Sequence, residues 1–241
     1  MNNALLIILP LVLCLTAFAF LFGYTTILLP VKRTEGKTHI ACIGDSLTYG
    51  CALPLFFYRR YPAVLQRLLG PDYEVAVFAV NDRTLQNSGN KPFRKERAFR
   101  LSKEYLPDTV VLLLGTNDSK SSNWISAESF HRQYAELIIE YRNLPSKPRI
   151  LICTVPYAFS PSRLFSFITT KSMVSCIPQI ADEIKKIAES ESAELIDLFA
   201  LTEGKKELFG PDGLHPSPEG ARIIAKKIWE SLCAPQESAS N

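Results

Sequence analysis

The sequence lacks the marks of a metal protein, a disulfide scaffold or a nucleic-acid binder. Its 241 residues include three histidines and six cysteines, with no CxxC pair and no Cys/His cluster at metal-ligand spacing, so no metal is expected. Nothing implies an organic cofactor. The net charge of +3 is mild, and the absence of any RNA- or DNA-binding motif argues against a nucleic-acid partner. No internal repeat or low-complexity block breaks the chain. Cys14, Cys42, Cys51, Cys153, Cys176 and Cys233 read as reduced structural thiols, with a Cys42–Cys51 pair left open.

Charge is missing altogether from Ala4 to Leu29, a run longer than the ~20 residues that cross a bilayer as a helix. The residues before it, Met1-Asn2-Asn3, carry no Lys or Arg. That weighs against a cleaved signal peptide, despite the small-residue pattern Ala17-Phe18-Ala19. Residues 4–29 are therefore expected to be a single-pass transmembrane anchor, followed by a linker over 30–38. Lys32, Arg33 and Lys37 on its C-terminal flank lean toward a cytoplasmic domain by the positive-inside rule.

What remains is a domain over 39–233 and a polar, flexible tail over 234–241. Short Val/Ile/Leu-rich runs fall at His39–Ile43, Tyr73–Ala79, Thr109–Leu114, Arg149–Val155 and Glu194–Leu198. They scarcely alternate, as expected of strands covered on both faces. Helical patterns lie between and after them, at Pro62–Leu69, Pro92–Tyr105, Ala127–Arg142, Ser175–Glu191 and Pro218–Leu232. The alternation predicts an α/β domain, three-layer α/β/α, around a five-stranded parallel sheet. Before the last helix, Ser217-Pro218 reads as an N-cap and first helical position, with Ile223, Ile224, Ile228 and Trp229 facing the core.

Three blocks carry chemistry. Gly44-Asp45-Ser46-Leu47 places a serine where a strand gives way to a helix, the edge of a parallel sheet where ligands bind. Asp212-Gly213-Leu214-His215-Pro216 supplies an acid and a histidine three residues apart. Gly115-Thr116-Asn117-Asp118 adds an amide at another strand end. A serine hydroxyl needs a base, and histidine suits the task if an acceptor holds its other ring nitrogen. Ser46 is thus the candidate nucleophile, His215 the base and Asp212 its orienting acid. The Ser46 backbone N–H and the Asn117 amide are candidate oxyanion donors.

These blocks, in this order, resemble the SGNH hydrolases, also called GDSL lipases/esterases, over essentially all of 39–232. The resemblance implies a flavodoxin-like SGNH hydrolase fold and an ester or thioester substrate, small or lipid-derived. It also implies an oxyanion-hole glycine after the second strand. Here that segment reads Phe78-Ala79-Val80-Asn81-Asp82-Arg83-Thr84, which puts Asp82 at the glycine position, or Asn81 with an offset of one. Its carboxylate would oppose an oxyanion unless it points outward or pairs with Arg83. An acyltransferase with the same site, or a non-catalytic binding module on this fold, are the alternative readings.

Other features are read as structural. His39 and His131 are read as structural, without acidic or Cys partners at a catalytic or ligand site, Asp118 and Asp45 read as braces, and the basic run from Arg94 to Lys103 reads as a solvated helix face. Leu55-Phe56-Phe57-Tyr58 could equally line an acyl pocket, face a membrane or pack. Phe159, Phe165 and Phe167 lie in a Pro/Ser-rich segment that could form a lid.

Overall fold

The computed structural model describes residues 3–28 and 31–234; the expected tail, apart from Ala234, lies outside them. The α-helices are α1 (Asn3–Leu21), α2 (Ser46–Tyr49), α3 (Phe56–Arg59), α4 (Tyr61–Leu69), α5 (Arg97–Glu104), α6 (Ala127–Arg142), α7 (Lys171–Ser190), α8 (Leu198–Thr202) and α9 (Pro218–Cys233). The strands are β1 (Thr38–Gly44), β2 (Tyr73–Ala79), β3 (Thr109–Leu113), β4 (Arg149–Cys153) and β5 (Glu194–Ile196). They form one sheet in the order β2-β1-β3-β4-β5, and every pairing is parallel.

The apolar runs explain the two covered faces. Successive side chains on a strand point to opposite faces. Ala41 and Ile43 of β1 and Val110 and Leu112 of β3 join the core under α6 and α7. Ile40 and Cys42, with Val111 and Leu113, join the core under α4 and α9. Strand order reverses beside β1, and that switch point opens a crevice at the carboxyl ends of β1 and β3.

The first apolar stretch departs from expectation. Residues 4–29 are not one helix: α1 stops at Leu21, Gly23 turns the chain at φ +68°, and the following residues lie against the domain. Ala52 N–H donates to Phe22 O at 2.8 Å and Leu55 N–H to Leu21 O at 3.0 Å. Part of the apolar character thus serves this strap, whose Leu28 packs on the main core. Among the described residues no helix is long and apolar enough to cross a membrane. A transmembrane span over 4–29 is therefore not shown.

Smaller differences have local causes. Pro92–Tyr105 divides into a turn of 3₁₀ helix, Phe93–Lys95, and α5, because Glu96 is extended between them. α7 starts at Lys171, earlier than Ser175, since the Thr170 hydroxyl caps it by accepting from Met173 N–H at 3.3 Å. On α9 the buried stripe is Ala221, Ile224, Ala225 and Ile228, while Ile223 and Trp229 are only half-buried.

Candidate active site

Ser46 stands at the first position of a one-turn helix directly after β1, with Asp45 as the N-cap. The turn is tight enough to require glycine before it. A Cβ on Gly44 would come 2.1 Å from Thr48 Oγ1 and 2.6 Å from Leu113 O. The Asp45 carboxylate accepts from Leu47 N–H at 3.0 Å and from Asn117 Nδ2 at 3.3 Å, so it ties the ends of β1 and β3 together. It is wholly buried, and that burial raises its pKa to about 6.

The far end of the chain reaches Ser46 on the loop that precedes α9. Ser217 caps α9, its hydroxyl accepting from Gly220 N–H at 3.2 Å, with Pro218 at the first turn. The loop is held from the other side by Phe159 N–H on Gly213 O at 2.8 Å. Gly213 sits at φ +69°, and a Cβ there would be 2.3 Å from Phe159 O, so this approach needs glycine. His215 Nε2 lies 2.9 Å from Ser46 Oγ, and Nδ1 lies 2.7 Å from Asp212 Oδ2. The other Asp212 oxygen accepts from the N–H groups of Leu214 and His215, each at 3.0 Å. Burial pushes the Asp212 carboxyl up, but the bond and charge of His215 and these N–H groups outweigh it and hold it below its usual range. The bond to an ionised Asp212 fixes the Nδ1–H tautomer, which leaves the Nε2 lone pair for the serine proton.

Asn117 lies just past β3 in a 3₁₀ turn, its amide oriented by Asp45 and by Arg83 O at 3.2 Å. The amide is thus engaged by two acceptors and has to re-aim to reach a substrate oxygen. Asp118 next to it is a brace: its two oxygens accept from Leu85 N–H at 2.8 Å and Gln86 N–H at 2.9 Å, across to the loop after β2.

Asp82 occupies the left-handed region at φ +71°, a conformation that glycine adopts freely and aspartate tolerates. Its carboxylate does not pair with Arg83. It accepts from Lys120 at 2.7 Å and Lys91 at 2.9 Å. Arg83 instead pairs with Glu96 at 2.7 Å and donates to Asn81 O. Burial would raise the Asp82 carboxyl, but the two lysines hold it down at about 2. The negative charge is thus neutralised beside the site. The backbone N–H groups of Ser46 and Asp82 make no hydrogen bond among the described residues, so both are free to bind an oxyanion. The Asn81 backbone N–H is already engaged, donating to Thr26 Oγ1 at 3.2 Å, and its side-chain amide holds Gly23 O at 2.8 Å and Tyr24 O at 3.3 Å.

Ser46, Asn81, Asp82, Asn117 and His215 border one pocket of about 390 Å³, with Tyr24, Cys51, Lys120, Phe167, Ile168 and Leu214 completing its wall. Tyr24 and Lys120 were not foreseen. Tyr24 lay hidden in a stretch that reads as a membrane helix; Lys120 had a signal in its place three residues after Asn117. Cys42 and Cys51 are both free thiols, which excludes the bridge left open between them. Burial pushes the Cys51 thiol up to about 12, so it is no rival nucleophile. Phe167 is 79% exposed at the pocket mouth, whereas Phe159 packs against Phe209. Among the described residues no group of three His, Cys, Asp or Glu side chains could hold a metal ion.

His39 and His131 do have acidic partners, brought from far away in sequence. Asp108 lies 3.1 Å from His39 and Glu183 lies 2.7 Å from His131. Three members of the basic run are likewise paired, Arg94 and Lys103 with Glu140 and Arg100 with Glu104.

A strand-end serine bonded to a histidine and an aspartate, on a parallel sheet of order 2-1-3-4-5, is the arrangement of the serine hydrolases with a flavodoxin-like sheet. The chain belongs to the GDSL-like lipase/acylhydrolase family, which matches residues 42–223. It is similar to an acetylxylan esterase from Xylanibacter ruminicola, 34% identical over 215 residues, covering 82% of this chain and 44% of that protein. It spans less than half the length of the curated relatives it matches. Among solved structures, an aryl esterase from M. smegmatis gives a TM-score of 0.65 at 20% identity, over 81% of this chain and 98% of that one. A carbohydrate acetylesterase from Sinorhizobium meliloti gives 0.64 at 19%, over 81% and 98%. At such identities the structural likeness speaks for the fold alone.

Proposed function

We propose that the chain is a serine esterase that passes the acyl group of a carboxylic ester to Ser46 and then to water. The observation that carries this reading is the continuous chain Asp212–His215–Ser46, at 2.7 and 2.9 Å, facing two unengaged backbone N–H groups. Ser46 Oγ attacks the carbonyl carbon as His215 Nε2 takes its proton. The oxyanion binds the N–H groups of Ser46 and Asp82 and the Asn117 amide. The leaving alcohol takes the proton back from His215, and a water repeats the sequence to release the acid. No step calls for a metal or organic cofactor.

A small acyl group such as acetyl is supported by the acetylxylan esterase named among the relatives and by the modest pocket. In the test, Ser46→Ala abolishes labelling by a fluorophosphonate probe and hydrolysis of p-nitrophenyl acetate. Undiminished labelling of that variant sinks the reading. Product analysis with sugar and lipid alcohols present separates hydrolysis from acyl transfer: ester products in excess of free acid would mark a transferase.

We further infer that α1 attaches this domain to a lipid layer. Val12, Leu13, Leu15 and Phe18 are exposed on it, a cost in water that lipid would remove. Lys32 and Lys37 lean toward a cytoplasmic side, while Arg33 is engaged by Asp108 and Leu106 O. Co-flotation with liposomes that persists after removal of residues 1–21 would count against α1 as the attachment.

A further inference from the structure

A second cavity, of about 600 Å³, lies between the end of α1, the strap, α3 and the edge strand β2. It shares no lining residue with the catalytic pocket. Its size is that of a ligand site, roughly 300–1,000 Å³. Phe20, Ile27, Phe56, Phe57, Val75 and Val77 make the walls apolar.

Arg60 is the exception. Its guanidinium stands in this wall, 5.8 Å from the centroid of the Phe56 ring. Nε is buried without a hydrogen-bond partner, and no carboxylate pairs with the guanidinium among the described residues. The polar groups nearest in charge are Tyr49, Cys42 and Tyr61, all neutral at pH 7. A cation partly withdrawn from water without a counter-ion is costly. The cost falls if an anion enters from solution. Lys32, exposed, adds a second positive charge at the lining.

We propose that this cavity binds a long-chain carboxylate, its head on Arg60 and its chain along Phe56, Phe57 and the β2 side chains. A carboxylate fits because one half-buried guanidinium without a counter-ion matches one negative charge and forms a bidentate pair with it. The lining provides few donors or acceptors for the glycerol and headgroup of a phospholipid. Tyr49 lines the cavity, and its hydroxyl accepts from Ile27 N–H at 2.8 Å and donates to Thr25 O at 3.1 Å, so an occupant would also press on the strap.

The test uses the full chain in a non-ionic detergent, photo-crosslinked to hexadecanoate bearing a terminal diazirine, with crosslinked residues mapped by mass spectrometry. Crosslinks are expected on residues 56–60 and 73–79, displaced by hexadecanoate and not by hexadecanol. Arg60→Gln lowers this labelling ~10-fold, the loss expected for one charged hydrogen bond. Val77→Trp, which fills the cavity and leaves Arg60 in place, lowers it as well. Thermal unfolding checks that each variant is folded, and either variant that folds decides the matter. Crosslinks elsewhere, equal displacement by hexadecanol, or undiminished labelling of a folded variant would overturn the proposal. Displacement by lysophosphatidylcholine alone would overturn it too, by assigning the cavity to a phosphate head. None of these outcomes depends on catalysis at Ser46.

Discussion

At the scale of single residues, the proposed oxyanion site mixes two kinds of donor that should respond differently to substitution. Asp82 contributes only its backbone N–H, and its side chain is held outward by Lys91 and Lys120. Asp82→Asn keeps the N–H and tolerates the same backbone region, so kcat for p-nitrophenyl acetate should stay within roughly threefold of the parent. Asn117→Ala removes a side-chain donor and should lower kcat by about 10²–10³ with KM little changed, read from steady-state kinetics. The molecule also holds a false triad. Ser190 Oγ is 3.3 Å from His131 Nε2, whose Nδ1 is 2.7 Å from Glu183. Ser190 ends α7, where carbonyl oxygens and not N–H groups are exposed, so no oxyanion could be held there. Ser190→Ala should therefore leave phosphonate labelling unchanged, and Ser46→Ala should leave no residual signal; labelling at Ser190 by mass spectrometry would contradict this.

At the scale of elements, the strap between α1 and the linker shapes the candidate active-site pocket and supplies none of the proposed catalytic groups. Asn81 holds it through Gly23 and Tyr24, and Tyr24 then forms pocket wall. Asn81→Ala should loosen this wall, raising hydrogen exchange over residues 22–28. The rate ratio of octanoate to acetate among p-nitrophenyl esters should rise several-fold. An unchanged ratio with faster exchange would show that the strap does not limit acyl size. The strands and the three motif blocks were legible because their signals are local: continuous apolar runs, a glycine at a tight turn, a capped helix after His215. The strap was not, since Phe22 to Leu28 carry no charge and continue the uncharged run of α1. What separates them is Gly23 and the hydrogen bonds of Asn81, which lies 58 residues further on. The partners of Asp82, His39 and His131 were unreadable for the same reason, because each is supplied by another element of the fold.

At the scale of the whole molecule, two sets of acids around the site set opposite pH dependences. Asp45 and Asp118 lie under the site, and burial raises their folded pKa values to about 6 and about 7. A raised acid binds its proton more tightly in the folded state, so its stabilisation is complete below the unfolded pKa of ~3.9. It is lost as pH rises through 6 to 7. Asp82 and Asp212 are depressed, and their stabilisation is present above ~3.9 and lost as pH falls. The two slopes meet at the unfolded pKa they share, so thermal stability should peak near pH ~4 and decline up to about pH 7. Asp118→Asn isolates the first slope. Asparagine offers one acceptor where two N–H groups now bind, so the variant should be less stable throughout, by about 1–3 kcal/mol. It has no proton to lose, so its decline between pH 5 and 8 should be shallower than that of the parent. Chemical denaturation across that range reads both effects, and parallel profiles would show that Asp118 is already ionised in the folded protein at pH 5, held so by Leu85 and Gln86.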